Sequence, residues 1–422
     1  MPVKQEMFVL TDAGNNNNKF WEVTLHEDGT VTSRYGRVGA AGATNTLGHG
    51  EVLYDRKVRE KTKKGYKKVD VIGASTGGPQ ISSVSRAAEE QIGNGDPIVT
   101  ELVKKLARIN KHQIMAASGG QMNVDLDTGI IRTPVGVVSH QNVDTAKDLL
   151  PKLNTFVEKG EFDSPKFVSM LNDYLMLVPQ KVGTRRGWHK DVLPDQDAVR
   201  KQSALLDQLE ASIELAEDSI KKAEKVAMGQ VPKVFDVRLS VLDGAETDRI
   251  TKFYMSTLKS AHASARLRPK RFFEVSIGAM SAAWEADGAK LSNRMELWHG
   301  TRAHNLLSIL KSGLIIPKSG GSVQVTGRMF GDGLYFSDQS TKSLNYAYGY
   351  WDGGARDNTC YMFLADVGMG KSYAPRRSFG GQPPKGYDST HVRGGTAGVM
   401  NNEMIVYRTG QANLKYLVEF SA

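Results

Sequence analysis

A long run of helical periodicity in the middle of the chain most constrains its fold. Between Asp197 and Met228, apolar residues recur three and four positions apart, as they do on one buried stripe of a helix. The residues of that stripe are Leu206, Leu209, Ile213, Ala216 and Ile220. At about 1.5 Å per residue, a helix of this length spans a domain. We therefore expect an all-α domain here, between segments of different pattern.

The chain is long enough to contain several domains. Its 422 residues suggest about two to four of them. Apolar content of 40% and charged content of 24% are ordinary for a globular protein. We find no apolar run of about 18 residues and no apolar signal core at the N-terminus. We expect an intracellular protein with no membrane partner, located in the nucleus if the source is eukaryotic.

Cysteine usage and net charge limit the kinds of site and the kinds of partner that we expect. With Cys360 as the one cysteine, a disulfide within the chain and a cysteine-built zinc finger are both excluded. We find no His, Cys and Asp cluster with metal-ligand spacing, so no metal is expected. The net charge of +9 favours a polyanionic partner.

Residues 1–75 are predicted to form a small β-rich domain. Segments 19–25 and 31–39 alternate as two strands of a hairpin around the turn at 27–30. The Gly-rich segment 39–50 is predicted to be a loop. The segment 54–68 is strongly basic, which is typical either of a solvated helix face or of a phosphate-binding patch.

Composition predicts three further parts. Gly and Ser dominate residues 76–96, which we interpret as a linker. Residues 97–232 are predicted to be a bundle of helices whose polar residues lie on helix surfaces. Residues 233–422 alternate short strands with short helices, as in a compact and mostly antiparallel α+β domain.

The α+β part holds the residues most capable of chemistry. A Gly-rich stretch from Leu297 to Tyr346 contains His299, Tyr335 and Tyr346, and Glu403 follows far downstream. Neither a Walker loop nor a GxGxxG pattern is present, so a P-loop or Rossmann site is not expected. Each of these residues, taken alone, is also typical of an ordinary structural position. His299 is typical of a strand end, Tyr335 and Tyr346 are typical of core aromatics, and Glu403 is typical of a turn cap.

Taken together, these motifs resemble the catalytic domain of the poly(ADP-ribose) polymerases in both order and spacing. The motifs are Trp298-His299-Gly300-Thr301-Arg302, Gly331-Asp332-Gly333-Leu334-Tyr335-Phe336-Ser337-Asp338, Lys342-Ser343-Leu344-Asn345-Tyr346 and Asn402-Glu403-Met404-Ile405-Val406-Tyr407. The resemblance covers 233–422 and implies cleavage of NAD⁺ between nicotinamide and ribose. It implies catalytic roles for His299, Tyr335 and Glu403. The implied NAD⁺ contacts are His299, Gly300, Thr301, Asn305, Tyr335, Ser343 and Tyr346, and Lys342 is an implied electrostatic helper for the acceptor.

The two upstream parts resemble domains of the same family. Phe20-Trp21, Tyr35-Gly36-Arg37-Val38-Gly39 and the basic run ending Lys64-Gly65-Tyr66 are similar to a WGR domain, with Tyr35 where the family has Trp. This resemblance implies binding of DNA strand breaks through Tyr35, Arg37, Lys63 and Lys64. The helical part is similar to the regulatory domain of the DNA-dependent members at Thr133-Pro134-Val135-Gly136 and Leu175-Met176-Leu177-Val178-Pro179. That domain is implied to block NAD⁺ entry until DNA binds.

These resemblances leave three readings of function. The first is a DNA-break-stimulated poly(ADP-ribosyl)transferase whose protein acceptors include itself. The second is a mono-ADP-ribosyltransferase or an NAD glycohydrolase, and the presence of Glu403 argues for polymer formation instead. The third is a non-enzymatic DNA-binding adaptor, which would be expected to lack His299 or Glu403.

Overall fold

The chain folds into two units, each built around its own core. The first contains Met1–Val84 and Lys111–Glu224, and the second contains Ser85–Asn110 and most of the chain from Lys225 onward. A computed structural model describes residues 2–38, 40–69, 91–93, 95–117, 122–124, 131–133, 136–180, 182–226, 235–316, 329–350, 356 and 359–422. Of these, 116–117, 123–124, 131–133, 136–137, 211–212 and 214–226 are described by backbone only. Most of the predicted linker 76–96 and the middle of the 133–136 turn lie outside the described residues.

A five-stranded antiparallel sheet begins the first unit. Among the described residues its strands lie in the order β4-β3-β2-β1-β5. They are β1 (Pro2–Asp12), β2 (Asn17–His26), β3 (Thr30–Arg37), β4 (Ala43–His49) and β5 (Lys67–Val69). Helix α1 (Glu51–Lys63) packs on the sheet, where Tyr54 joins Phe8 and Trp21 in a buried cluster. The N-terminal part is therefore β-rich, as predicted.

The predicted hairpin is confirmed, but the loop after it is not. Strands β2 and β3 pair from Lys19 opposite Arg37 to Leu25 opposite Val31. Gly39, the last residue of the predicted second strand, lies outside the described residues. The prediction of a loop over 39–50 was wrong, since 43–49 form β4. A Cβ on Gly42 would lie 2.6 Å from the Phe20 ring, so this glycine reflects close strand packing.

The rest of the first unit is mainly helical. Its elements are the last part of α2 (Pro97–Ala117), the short strands β6 (Asn123–Val124), β7 (Ile131–Thr133) and β8 (Gly136–Val137), and the helices α3 (His140–Lys159), α4 (Pro165–Leu177), α5 (His189–Val192) and α6 (Gln196–Val226). Ser139 caps α3 by accepting a hydrogen bond from the Asn142 backbone N–H. Leu206, Leu209 and Ile213 of α6 are buried in one core with residues of α3 and α4. The described part of the long periodic run is thus one helix, and the three residues of its apolar stripe whose side chains the structure describes face inward.

The sheet and the helices of the first unit are joined by direct contacts. Asn172 accepts a hydrogen bond from the Ala13 backbone N–H at 3.1 Å, and Lys67 forms an ion pair with Asp173 at 3.4 Å. Arg37 donates to the carbonyl of Gly183 at 3.0 Å. The end of β3 is therefore attached to the chain that follows α4.

The second unit contains two sheets. The first has the order β11-β13-β17-β10-β9 and the second the order β12-β16-β15-β14 among the described residues. The strands are β9 (Val237–Val241), β10 (Arg268–Ile277), β11 (Arg294–Gly300), β12 (Leu334–Phe336), β13 (Thr359–Gly368), β14 (Ser372–Tyr373), β15 (Ser389–Val392), β16 (Glu403–Val406) and β17 (Ala412–Ser421). The helices are α7 (Ala245–Ser256), α8 (Gly278–Ala286), α9 (Leu306–Ser312) and α10 (Ser340–Tyr348), with the first part of α2.

The core of this unit is centred on Trp298 of β11. Its ring is fully buried and stacks on Phe253 of α7, with centroids 5.6 Å apart. Leu344 of α10 and Met362 of β13 belong to the same cluster. Cys360 on β13 is also part of it and is 1% exposed. The antiparallel pairing and the short helices confirm the predicted α+β class.

Across both units, none of the helices that could be searched combines the length and the apolar content that a membrane span requires.

Candidate active site

Four elements of the second unit bring the predicted catalytic residues together. Strand β11 ends with His299 and Gly300, β12 carries Tyr335, α10 carries Ser343 and Tyr346, and β16 begins with Glu403. The Trp298 and Ser337 backbones exchange two hydrogen bonds of 2.9 and 3.0 Å, which join β11 to the end of β12. Tyr335 lies opposite Ile405 in the β12–β16 register. The two sheets therefore meet at the site.

Gly300 allows β11 to pack against α10. A Cβ at this position would lie 1.7 Å from the Ser343 carbonyl oxygen, a distance that no side chain tolerates. The Ser343 hydroxyl donates to the Trp298 carbonyl at 3.0 Å, which holds the helix on the strand. Gly300 and Ser343, two of the predicted NAD⁺ contacts, are thus adjacent, and no side chain covers the backbone of Gly300 from its own position.

His299 is held in one orientation and one tautomer. Its Nδ1 lies 3.0 Å from the Tyr335 carbonyl, which can only accept, so Nδ1 carries the proton. Burial lowers the pKa of His299 below its ordinary value, despite the opposing effect of that hydrogen bond. The neutral ring therefore presents Nε2 as an acceptor, which suits a hydroxyl donor such as a ribose.

Glu403 forms a buried ion pair with Lys342 of α10. The Lys342 Nζ lies 2.5 Å from a Glu403 carboxylate oxygen, and the two side chains are only 8% and 13% exposed. Burial lowers the pKa of Lys342, and the charge of Glu403 opposes that shift. The same ammonium lies 5.8 Å from the centroid of the Tyr346 ring. One carboxylate, one ammonium and one aromatic ring thus share a small, mostly dry space.

The backbone before Glu403 is fixed by Asn402. Its side-chain amide donates to Asp338 at 2.8 Å and accepts from the Gly394 N–H at 2.9 Å. Its carbonyl accepts from the Ser337 hydroxyl at 3.1 Å. Sequence reasoning did not assign roles to Asn402 and Asp338. The signal available in the sequence was their position in the motifs, where Asn402 directly precedes Glu403 and Asp338 directly follows Ser337.

Tyr335 is tied to the loop before β12 by its hydroxyl. The hydroxyl donates to the Gly331 carbonyl at 2.8 Å and accepts from the Phe330 N–H at 3.0 Å. Gly331 has a φ of 81°, and a Cβ there would lie 1.8 Å from the Gly381 carbonyl oxygen. The glycine of this loop is therefore needed both for its conformation and for close approach.

Thr301 and Asn305 lie together just after β11. The Asn305 side-chain amide donates to the Thr301 hydroxyl at 3.0 Å. This bond connects the end of the strand to the short helical turn Ala303–Asn305 that precedes α9. These two predicted NAD⁺ contacts are thus joined to each other just after His299 in the chain.

His262 also lies at the site and was missed from sequence. Its Nδ1 is 2.9 Å from the Thr341 hydroxyl, on the residue before Lys342. Burial lowers the pKa of His262 below its ordinary value. No spacing in the sequence links it to α10, because the connection depends on how the 259–264 segment packs on that helix.

The predicted DNA-binding residues lie in the first unit. Tyr35 and Arg37 are on β3, where the Tyr35 side chain is exposed at 46%. Arg37 donates to the carbonyl and the side chain of Asn16 and to the carbonyl of Gly183. Lys63 ends α1 and Lys64 follows it, and both are exposed. The structure thus brings two of the four together on β3 and the other two at one helix end.

One group of described side chains could offer three metal-ligand atoms. His140, Asp144 and Glu210 in the first unit have such atoms within 4.8 Å of one another. Glu210 is also paired with Lys147 at 2.6 Å, and that ammonium competes with any cation. The expectation that no metal is needed stays a prediction.

Three family models match the chain in succession. A WGR domain matches residues 4–71, a poly(ADP-ribose) polymerase regulatory domain matches 96–234, and a poly(ADP-ribose) polymerase catalytic domain matches 244–398. The catalytic match ends before Glu403, whose position beside Lys342 comes from the structure.

Several proteins are similar over nearly the whole chain. Protein mono-ADP-ribosyltransferase PARP3 of Mus musculus is 25% identical, over 97% of this chain and 86% of the relative. The Homo sapiens protein of the same name is 27% identical, over 92% and 76%. Poly(ADP-ribose) polymerase 2 of Homo sapiens is 23% identical, over 98% and 78%. The similar proteins thus include some named for single and some for repeated transfer of ADP-ribose.

Proposed function

Because the chain belongs to the poly(ADP-ribose) polymerase family and is an NAD⁺ ADP-ribosyltransferase, we propose that it is a poly(ADP-ribosyl)transferase stimulated by DNA breaks. It transfers ADP-ribose to itself and to other proteins and then elongates the chain. The observation that carries this proposal is the buried pair of Glu403 and Lys342 at the end of β16. A carboxylate there is suited to both of the steps that polymer formation needs.

The first step is loss of nicotinamide from NAD⁺. The bond from the ribose C1′ to the pyridinium nitrogen breaks, its electron pair stays with the nitrogen, and nicotinamide leaves neutral. Positive charge then develops on the ribose, and the Glu403 carboxylate stabilises it, as carboxylates do in glycoside hydrolysis. His299 accepts a hydrogen bond from the adenosine-side ribose through Nε2, which fixes the dinucleotide for this step.

The second step is attack by the acceptor. An acceptor hydroxyl oxygen forms the new bond to C1′, and its proton is lost to the carboxylate of Glu403 and then to solvent. Lys342 assists by holding Glu403 in place and by offering its positive charge to an anionic acceptor such as a growing ADP-ribose chain. Ser343 and Gly300 hold the nicotinamide carboxamide, and Tyr335 and Tyr346 bound the ring, which keeps the leaving group oriented.

The DNA side of the proposal rests on the N-terminal sheet. Tyr35 presents an exposed aromatic face, and Arg37 beside it has the planar fork that suits phosphate. Lys63 and Lys64 add exposed positive charge. We propose that these residues bind the broken end of a duplex, that no metal takes part, and that the protein works inside the cell, in the nucleus if that cell is eukaryotic.

Incubation with labelled NAD⁺, with and without nicked duplex DNA, tests the proposal. We expect a ladder of high-mass products on the protein itself, more intense when the nicked DNA is present. A single modified band under both conditions would identify a mono-ADP-ribosyltransferase, as two of the similar proteins are named. Free ADP-ribose without labelled protein would identify an NAD glycohydrolase.

A matched pair of variants separates the two roles of Glu403. Glu403→Gln keeps the size of the side chain and one accepting oxygen but removes its charge. We expect it to lose elongation more severely than nicotinamide release, because the acceptor proton then has no base. Glu296→Gln makes the same change at a more exposed ion pair with Arg249, outside the site, and is expected to leave both rates unchanged. Equal residual rates for elongation and release in Glu403→Gln would remove its role with the acceptor.

A further inference from the structure

The loop 183–187 of the helical segment lies directly beside the proposed DNA-binding strand. Arg37 Nη2 donates to the Gly183 carbonyl at 3.0 Å, and the Asn16 side-chain amide donates to the Thr184 carbonyl at 3.0 Å. Both bonds hold backbone groups of the loop. The loop is therefore held against the end of β3 and the turn between β1 and β2, while the side chains of Thr184, Arg185 and Arg186 are exposed.

The side chains of this loop are basic and exposed. Arg186 is exposed and forms no ion pair or hydrogen bond with any residue that the structure describes. On the adjoining sheet, Lys19 is exposed and lies opposite Arg37 in the β2–β3 register. Lys19, Arg37 and Arg186 thus come from three neighbouring pieces of backbone, and we call them the cation strip.

Arg37 retains hydrogen-bonding capacity within this strip. Its Nη1 donates once to Asn16, and its Nη2 donates to Asn16 and Gly183. A guanidinium has five N–H groups. Within the described part of the chain, the Nε–H and one Nη1–H of Arg37 are therefore still available, so it can anchor the loop and contact a phosphate together.

Arg185, the other arginine of the loop, forms an ion pair, unlike Arg186. Two of its nitrogens bond the carboxylate of Asp191, at 2.9 Å for the closest contact, and its charge is neutralised there. Asp191 belongs to the short helix α5 that follows the loop. The two arginines of the loop thus differ, since Arg185 forms an exposed ion pair and Arg186 forms none with the described residues.

We propose that the loop 183–187 is part of the DNA-binding surface, and that the cation strip of Lys19, Arg37 and Arg186 binds consecutive phosphates of a DNA strand. This rests on the proposed DNA binding by Tyr35 and Arg37. Backbone phosphate is favoured as the ligand because two of the three cations are arginines, whose planar fork matches phosphate oxygens. The strip is also continuous with Tyr35, whose exposed ring lies on the same strand as Arg37.

The proposal gives DNA a direct contact with the helical segment. The loop follows α4 and leads through α5 into the long helix α6. A phosphate bound by Arg186 therefore contacts the chain just ahead of α5 and α6.

Fluorescence anisotropy of a labelled nicked duplex with the full chain, measured across a range of salt concentrations, tests the proposal. Arg186→Gln is compared with Arg238→Gln, which removes the same charge from an exposed arginine on β9 of the second unit. Loss of one phosphate contact reduces the slope of log K against log salt by about 0.9 and weakens binding up to about eightfold at 0.1 M salt. We expect both effects for Arg186→Gln and neither for Arg238→Gln.

A gain-of-function variant gives an independent measurement. Asp191→Asn releases Arg185, which then adds a phosphate contact, so the salt slope is expected to become steeper by up to about 0.9. Asp243→Asn, at an exposed carboxylate before α7, removes the same negative charge and serves as its control. Equal gains from both variants would mean that net charge alone acts, which would overturn the proposal.

The outcomes distinguish this inference from the function on which it rests. If the unaltered protein binds nicked DNA while Arg186→Gln and Arg238→Gln bind equally well, the loop is not a DNA contact and the proposed function stands. If the unaltered protein does not bind DNA, both fail. If polyglutamate of matched charge displaces the duplex, and Arg186→Gln weakens both ligands equally, the surface recognises acidic chains in general and the DNA proposal is refuted.

Discussion

Removal of the Glu403 charge provides the sharpest test of the site, because its energetic effect follows from the geometry. Glu403 and Lys342 are 2.5 Å apart, with side chains 13% and 8% exposed. Deleting one partner of a buried ion pair costs about 3–5 kcal/mol, because the other charge is left without compensation. At about 2–4 °C per kcal/mol for a domain of this size, we expect Glu403→Gln to lower the melting temperature of the catalytic unit by about 6–20 °C.

The same variant has a predicted dependence on pH. Burial holds the pKa of Lys342 below its ordinary 10.5, and Glu403 opposes that shift. A lysine with a depressed folded-state pKa binds fewer protons when folded, so stability rises with pH between the folded pKa and 10.5. In Glu403→Gln the carboxylate is absent, so the pKa of Lys342 in the folded state falls further. Stability then begins to rise at a lower pH than in the unaltered protein. The difference in the free energy of unfolding between Glu403→Gln and the unaltered protein therefore becomes smaller as pH increases.

Urea denaturation at several pH values, followed by a signal from the catalytic unit, is the assay. Glu296→Gln is the control, since Arg249 is 43% exposed and keeps Glu246 as a second partner, so we expect a smaller loss of stability there. The double variant Glu403→Gln with Lys342→Met removes both charges and is expected to recover most of the lost stability. If Glu403→Gln unfolds like the control at every pH, the pair is not buried in solution and the reasoning is refuted.

Three further predictions concern the NAD⁺ cleft and the DNA surface. Gly300→Ala places a Cβ 1.7 Å from the Ser343 carbonyl oxygen and separates β11 from α10, so we expect KM for NAD⁺ to rise at least about tenfold, as measured by initial rates with a thermal-shift control for folding. Since burial lowers the pKa of His299 from 6.5, the acid limb of the kcat/KM profile in NAD⁺ should fall below pH 6.5, and a limb at or above that value would contradict the neutral ring. Arg37→Ala loses both its phosphate contact and its bond to Gly183, so stimulation by nicked DNA should drop about tenfold or more while the DNA-free rate is retained. Undiminished stimulation in Arg37→Ala would remove the N-terminal sheet from the DNA site.

The periodic parts of the fold could be predicted from sequence, and the parts set by close packing could not. The α6 stripe at Leu206 and Leu209 and the β2–β3 hairpin follow from local pattern, and the structure confirms both. Strand β4 was mistaken for a loop because the segment 39–50 is rich in Gly, which favours turns locally. Gly42, just before β4, has a φ of 79° and approaches the Phe20 ring closely, which only the folded chain reveals.

In the candidate site, the residues carried by motifs could be predicted from the sequence, and the contacts set by packing could not. The motifs identified His299, Tyr335 and Glu403, and the structure places all three around one space. The ion pair with Lys342 was not predicted, because it depends on how the helix α10 lies beside the start of β16 and not on spacing along the chain. His262 was missed for the same reason, since its contact with Thr341 exists only after packing.

The burial of Cys360 has a practical consequence for every experiment on this protein. It is the only thiol in the chain, it is 1% exposed, and it lies on β13 within the cluster around Trp298. A thiol reagent therefore reacts only when β13 separates from its neighbours, so the rate of labelling reports local opening of the catalytic sheet. Because Cys360 is shielded from such reagents in the folded protein, a cysteine introduced at an exposed position becomes a unique attachment point for a dye or spin label.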